Sequence, residues 1–470
     1  MNTLPARLFR LIHRRKVAAL AGIPGPTPRF PFGNALDFLG KRPWEVLAGY
    51  GRAHGGMALA WIGGKPVVVL NDPDLIARVF RADSVDYYKD APRQALEPVI
   101  TRRCLFIANG PDWARRRANH PCAGPAADGW LDGIVPTLRD SVRAGARRLA
   151  SADPAPGADL HDGLQRVAFD AFAVAVWGDP LGDEAYAQFV ALGKVGDRRM
   201  RTPLSLLPPL CPLFYRDRRR WYGRFDALIE RARRDPDPSR RDLLAVTLRH
   251  GSPLDHADLR DLLANAFYGG VYSVSSCLTT ALYLLARDPD EAARLRADLE
   301  HLDLAAPDLD PAALGAAPRL EATVRESLRT LAAVPLMARN VTTARPVELG
   351  GHTLPPDTTL FLTNWLINRS PDHWPDPDRF DPGRWLDPAK PAGPIAGPHF
   401  FPFGQGNQTC VGMPFAMTYM KVALAVLTKD FRVAIDPDQP YRQAYFFGVM
   451  IPRGFAARFE PATPRSGVAP

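Results

Sequence analysis

Cysteine, lysine and long apolar runs are scarce in this chain of 470 residues. Five cysteines are present, Cys104, Cys122, Cys211, Cys277 and Cys410. No two have CxxC spacing, which excludes a structural zinc ribbon or a disulfide framework and suits a reducing compartment. No segment reaches the roughly 18 uninterrupted apolar residues of a membrane span. The opening stretch MNTLPARLFRLIHRRKVAALAG is too broken by arginine for a signal-peptide core. Internal repeats and low-complexity runs are missing, and no linker separates self-contained halves. Length alone suggests about three domains, but without a linker the expectation is one domain.

What is present is ordinary globular material: 46% hydrophobic residues, 23% charged residues and a net charge of +9. The basic clusters (RLIHRRK, RRR at Arg115–Arg117, RDRRR at Arg216–Arg220) are short, scattered and without a nucleic-acid motif. They read as solvated helix faces, and nucleic acid is not an expected partner. Leu4, Leu8, Leu11 and Ile12 fall on one helical face among arginines, as in a segment that lies on a membrane surface or in a terminal helix that touches nothing. Residues 1–21 therefore form a basic N-terminal segment, 22–461 the domain and 462–470 a frayed tail. Within the domain, MALAWI and PVVVL form a strand pair turned at Gly63-Gly64, and Asp72 caps a helix. Trp113 to about Glu300 is mostly helical, and strand character returns around Gly350-Gly351. The fold class is mainly α with small β-sheets.

The most informative stretch is FPFGQGNQTCVG, Phe401 to Gly412. A thiolate is a strong metal ligand only where its charge is stabilised. Gly404, Gly406 and Gly412 let backbone N–H groups crowd the sulfur of Cys410, and an apolar helix pattern begins immediately afterwards, with its positive end towards that sulfur. A lone cysteine in such a loop is ordinarily a packed thiol. Here Phe403, Gly406, Cys410 and Gly412 match FxxGxRxCxG, and the chain from about Gly22 to Pro461 resembles the cytochrome P-450 superfamily.

That resemblance implies a single-domain fold with haem b between a long central helix and the cysteine loop. Cys410 would be the iron ligand and Phe403 would pack near the sulfur, with Ala416 also where the family has alanine. RESLR supplies Glu326 and Arg329 as the ExxR pair, and PDRF supplies Arg379 as its expected third partner in a structural triad. DWARRR supplies Trp113 and Arg117, matching WxxxR, and Arg339 stands where a second propionate-binding arginine is found. His120 is a weaker, structural candidate. Gln408 departs from the pattern: the family has Arg or His there, so one charged contact to a propionate is missing.

LRDLLANAFYGGVYSVSSCLTTALYLLARDP reads as the central helix, apolar nearly all round and so buried. Counting back from Pro289 aligns Gly269 and Gly270 with the family's AG, Ser273 with its threonine and Tyr272 with its acid. The resemblance gives the acid–alcohol pair the task of feeding protons to dioxygen as it is activated. Ser273 keeps a hydroxyl, but a phenol of ordinary pKa about 10 cannot replace a carboxylic acid. Either Ser273 acts alone while Tyr272 packs elsewhere, or proton handling is unusual and the chemistry is desaturation, coupling or rearrangement. The two glycines either loosen the helix or permit close packing.

By the same resemblance the substrate pocket lies among Asp90–Ala108, Phe267, the Val334–Met337 turn and Phe447, which suits a lipophilic small molecule. Arg102 and Arg103 are candidates for a substrate carboxylate, though surface exposure is the plainer reading. No flavin or nicotinamide fingerprint follows the haem-domain pattern. Electrons from NAD(P)H are therefore expected through a separate ferredoxin or flavodoxin and its reductase. The expected enzyme is a monomeric, cytoplasmic, bacterial monooxygenase in natural-product metabolism, with its first residues the one segment suited to a peripheral contact with a membrane surface.

Overall fold

The computed structural model describes residues 4–82, 85–89, 94–123, 125–151, 159–201, 212–307, 309–387, 397–436, 438–439 and 441–462. Asp90, Cys211 and the last residues of the tail lie outside them. Helices dominate, and small sheets lie towards both ends of the chain.

The strand pair is β1 (Met57–Ile62) and β2 (Lys65–Leu70), antiparallel with Met57 opposite Leu70. β2 then pairs in parallel with β7 (Thr359–Leu362), and β7 pairs antiparallel with β4 (Met337–Val341). β3 (Tyr87–Tyr88) closes a five-stranded sheet of order β1-β2-β7-β4-β3. Gly350-Gly351 turns the hairpin of β5 (Val347–Leu349) and β6 (His352–Leu354). Two further hairpin-like pairs lie near the C-terminus, β8 (Phe431–Ile435) with β11 (Ala457–Pro461) and β9 (Arg442–Phe446) with β10 (Val449–Arg453). Asp72 does cap its helix, Pro73–Arg81, accepting from the backbone N–H groups of Asp74 and Leu75.

The N-terminal helix, Leu4–Ile12, is docked rather than free. Phe9 is fully buried with its ring 5.4 Å from that of Trp61 on β1, while Leu4, Leu11 and Ile12 stay exposed.

The axis of the molecule is the central helix, His256–Arg287, 32 residues and about 48 Å long at 1.5 Å per residue. Asp255 caps it by accepting from the N–H of Asp258. Among the described residues it is the one helix long and apolar enough to cross a membrane, and 78% of its apolar window is buried inside the protein. It is the core helix of the largest hydrophobic cluster. The helices Leu160–Phe172 and Met413–Lys429 pack around it.

Candidate functional site

The cysteine loop is held in shape by its backbone. Cys410 N–H donates to the Phe403 carbonyl at 2.8 Å, and the Cys410 carbonyl accepts from Met413 N–H at 3.3 Å. Gly406 sits at φ +63°, where a side chain is strained, and an added Cβ would lie 2.6 Å from the Phe80 carbonyl. Gly412 immediately precedes the helix Met413–Lys429, so the positive helix end lies at the sulfur.

Cys410 is exposed, so its side chain is open to a bound group. Burial pushes its thiol pKa up. The N–H of Gly412, the guanidinium of Arg117 and the N–H of Met413 work in the opposite direction. Among the described residues no three His, Cys, Asp or Glu side chains are grouped to hold an ion. A metal on Cys410 would have to bring its other ligands with it, as a haem does.

The residues around the sulfur fit such a group. Arg117, on the helix Gly110–Ala118, is half-buried and makes no hydrogen bond or ion pair; desolvation lowers its pKa and the nearby Cys410 opposes that. Gln408 has a buried Oε1 without a partner. The uncommitted, half-buried guanidinium of Arg117 is the donor a propionate carboxylate requires; Gln408 could donate only through its Nε2, because its unpartnered Oε1 is an acceptor. Arg339 is buried on β4, with Nη1 donating to the Ala338 carbonyl at 2.9 Å and its guanidinium 5.9 Å from the ring centre of Phe80. Trp113 is buried, with Lys89 Nζ 5.3 Å from its ring centre. His120 accepts from Cys122 N–H through Nδ1, and burial together with Arg117 pushes its pKa down to about 3, so it is a neutral structural ring. Phe403 is partly buried against the core, Gly404 is buried, and Met337 Sδ is 4.0 Å from the point where a Cβ on Gly404 would lie.

The expected triad needs one correction. Glu326 and Arg329, on the helix Pro318–Thr330, are both fully buried. Glu326 Oε1 accepts from Arg329 Nη2 at 2.8 Å, from Asp381 N–H at 3.0 Å and from Arg384 Nε at 3.0 Å. Oε2 accepts from Arg329 Nε at 2.9 Å and Trp385 Nε1 at 2.8 Å. The third charged partner is therefore Arg384, not Arg379. Arg379 contributes only its carbonyl, which accepts from Arg329 Nη2 at 3.0 Å. Both arginines stand in a Pro-x-Arg-aromatic tetrapeptide (PDRF and PGRW), so the local sequence does not distinguish them.

On the central helix, residues 261–283 are buried except for Ala266, Gly269, Gly270 and Ser273. Their spacing of i, i+3, i+4 and i+7 makes one accessible stripe along one face. Ser273 Oγ donates to the carbonyls of Gly269 and Gly270 at 3.0 and 2.9 Å, leaving its lone pairs to accept. The helix runs unbroken through the glycines, which have separate reasons. An added Cβ at Gly269 would meet nothing within 4 Å; at Gly270 it would lie 2.2 Å from the ring of Phe172. Close packing, not helix opening, requires Gly270.

Tyr272 lies off this stripe. Its ring stacks on Phe189 at 4.8 Å and meets Phe446 at 5.1 Å, and its hydroxyl is buried without a partner. Burial raises the phenol pKa well above 10, so the group stays protonated and hands no proton on. The expected acid position beside Ser273 therefore falls one helical step, about 100°, off the accessible stripe. Phe267 is likewise core rather than pocket lining: it is fully buried, 5.0 Å from Phe169 and 5.5 Å from Trp221. Phe447 is mostly buried, stacks on Tyr268 at 5.5 Å and has its N–H bonded to Asp197 at 2.9 Å. Val334 and Met337 remain partly accessible.

The ion cluster at the start of the central helix was missed in the sequence. Arg103, Arg115 and Arg116 converge on the buried Asp258 at 2.7, 2.6 and 2.9 Å. Burial acts to raise the pKa of Asp258, but hydrogen bonds from the three guanidiniums outweigh it and hold it down at about 2. Arg103 is thus committed to the fold, while Arg102 pairs with Glu97 at the surface. An i, i+1 pair of arginines gives no sequence sign of a partner more than 140 residues away.

Comparison with known proteins agrees with this geometry. The sequence profile of the family described as cytochrome P-450 matches residues 23–456. The chain is 26% identical to cyclooctatin synthase of Streptomyces melanosporofaciens over 92% of each sequence. It is 26% identical to mouse cytochrome P-450 3A13 over 90% of this chain and 87% of that one. It is 32% identical to pentalenene oxygenase of Streptomyces avermitilis over 57% of this chain and 60% of that one. The crystal structure of the cytochrome P-450DA heme domain superposes with a TM-score of 0.76 at 20% identity, covering 94% of this chain and 98% of that one, which shows the fold. The chain belongs to the cytochrome P-450 family, oxidoreductases that use haem b and dioxygen with electrons from redox partners.

Proposed function

We propose that this enzyme is a monooxygenase that hydroxylates a lipophilic small molecule in bacterial natural-product metabolism, with a terpenoid skeleton as the substrate class. The observation that carries the oxygenation reading is Ser273, a hydroxyl on the one accessible stripe of a buried helix with its lone pairs uncommitted. The substrate class is supported by the names of two relatives, cyclooctatin synthase and pentalenene oxygenase.

In this reading a haem supplies iron-based activation of dioxygen and the chain does the rest. Cys410 would bind the iron, its negative charge supported by the N–H of Gly412, the guanidinium of Arg117 and the N–H of Met413. Arg117 and Arg339 would bond the propionates, Gln408 would add an uncharged amide through Nε2, and Trp113, Phe403, Gly404 and Gly412 would shape the cradle. Ser273 Oγ accepts a hydrogen bond from a water and positions it along the Gly269–Gly270 stripe. Val334 and Met337 border the substrate. A ferredoxin or flavodoxin and its reductase deliver the electrons from NAD(P)H. The enzyme works as a cytoplasmic monomer, its domain spanning 22–461, with 1–21 available to a membrane surface through Leu4, Leu11 and Ile12.

A second reading is favoured by Tyr272: no acid stands beside Ser273, as desaturation, coupling or rearrangement without oxygen insertion would tolerate. Turnover under ¹⁸O-labelled dioxygen separates the two. One labelled oxygen in the product is expected; a product without label overturns monooxygenation. The absorption spectrum of the reduced, CO-bound protein tests the ligand: the strongly red-shifted Soret band of a thiolate is expected.

A further inference from the structure

A cleft of about 340 Å³ opens between the helix Pro212–Arg234 and the start of the central helix. That is the size of a small-molecule site. It is lined by Arg218, Arg219, Arg260, Asp226 and the rings of Tyr215 and Tyr222. The single acid is already committed: Asp226 accepts from Arg260 Nη1 at 3.2 Å and lies 2.8 Å from His256 Nε2. Arg260 is also bonded to Asp261 at 2.7 Å, so three guanidiniums face two carboxylates and the excess is about one positive charge, on the side of Arg218 and Arg219.

Most arginines of this helix outside the cleft have partners, Arg224 on Gln188 and Arg233 against His256 among them. Outside the cleft, Arg216 pairs with Asp217, Arg220 with Glu184 and Arg231 with Asp179. Inside it, Arg218 and Arg219 have no carboxylate, and Arg218 Nε is buried with no hydrogen-bond partner at all. That Nε is shielded beside the Tyr222 ring, so what Arg218 can offer a ligand in the cleft is the Nη end of its fork.

The site is also built rather than fluid. The ring of Tyr222 is flanked by the guanidiniums of Arg218 and Arg260 at 5.2 and 5.3 Å. Its hydroxyl is anchored on the Val99 carbonyl at 2.9 Å. At Gly223 an added Cβ would meet nothing within 4 Å, so the cleft floor is open.

We propose that this cleft binds a small molecule carrying a phosphate or diphosphate group. The oxyanion sits on Arg218 and Arg219, whose planar forks match phosphate oxygens, and the remainder of the molecule lies along the rings of Tyr215 and Tyr222. The site is separate from the cysteine loop and does not depend on the substrate class argued above.

The test is calorimetric titration of the haem-loaded full chain with inorganic pyrophosphate at fixed ionic strength. One saturable site is expected. Arg218→Gln/Arg219→Gln weakens it by at least about ten-fold, the scale of a lost charge-assisted hydrogen bond. Gly223→Leu fills the cleft while keeping every charge, and weakens binding to a similar degree. Arg216→Gln/Arg220→Gln removes the same charge outside the cleft and changes affinity less than about two-fold. An unchanged Soret spectrum certifies each variant as folded; if the first does not fold, Gly223→Leu carries the test. The proposal is overturned by no saturable binding, by Gly223→Leu binding as wild type, or by equal losses in the two double variants. It is also overturned if vesicles of phosphatidic acid bind where pyrophosphate does not, since the basic helix would then be a lipid contact.

Discussion

Glu326 and Tyr272 are both buried polar side chains, one behind the cysteine loop and one on the central helix, and they are treated in opposite ways. Glu326 accepts five hydrogen bonds from four residues, three of them on the 381–385 segment. Tyr272 makes none, and its ring is packed by Phe189, Phe446 and Phe447. A carboxylate cannot be buried without paired donors, because its desolvation is far larger than that of a hydroxyl. A phenol is mostly apolar surface, and an aromatic cage offsets one lost hydrogen bond. The region behind the cysteine loop is therefore fixed by direction-specific contacts, and the aromatic side of the central helix by shape.

Substitutions that separate the two regimes begin with the ligand itself. Cys410→Ser is expected to abolish turnover and the thiolate CO-bound band; a retained red-shifted Soret peak would assign the ligand elsewhere. Next is the buried knot. Arg384→Ala leaves Glu326 short of a charged partner and is expected to cost about 3–5 kcal/mol in denaturant unfolding, whereas Arg379→Ala keeps the carbonyl that Arg329 uses and is expected to cost under about 1 kcal/mol. Equal effects would erase the distinction drawn between these arginines.

That pair also shows where the sequence stops being legible. The cysteine loop, the ExxR spacing, the Trp113/Arg117 pair, the hairpin at Gly63-Gly64 and the Asp72 cap are local patterns, and each is found where its pattern put it. The choice between Arg379 and Arg384 depends on how a loop folds back on Glu326. The orientation of Tyr272 depends on Gly193, an added Cβ on which would lie 2.1 Å from its hydroxyl. The burial of Phe267 depends on Phe169 and Trp221, and Asp258 depends on arginines far away in the chain. None of these partners leaves a mark near the residue it constrains.

Weaker effects follow. Arg117→Ala is expected to speed haem loss by about ten-fold or more, through one charged hydrogen bond, measured by transfer to apomyoglobin; an unchanged rate would place the propionates elsewhere. Histidine supplies a pH signature. His161 is fully buried with neither ring nitrogen bonded, and burial, with Arg453, pushes its pKa to about 3. An unfolded histidine takes up a proton near pH 6.5 while this one does not, so its contribution to stability is intact above 6.5 and declines as pH falls towards 3. The slope is about 1.4 kcal/mol per unit. His161→Leu is expected to flatten the fall in unfolding free energy between pH 6.5 and 5, with His120 supplying what slope remains; an unaltered slope would mean that His161 is charged in the fold. Smallest is Tyr272→Phe, which removes an unbonded hydroxyl and is expected to change stability by about 1 kcal/mol or less and to leave the ratio of product to oxygen consumed as in wild type. A changed ratio would return Tyr272 to the proton path.

The helix Gly182–Arg201 rests on the aromatic cage through two glycines one turn apart. An added Cβ at Gly193 would strike the Tyr272 hydroxyl, and at Gly196 it would lie 2.4 Å from the ring of Phe447. Every single-nucleotide change of a glycine codon that alters the residue introduces at least a β-carbon, so neither position offers a tolerated first step to a diverging lineage. Under the proposed function, variation in what the enzyme accepts would enter through the partly accessible positions Val334 and Met337.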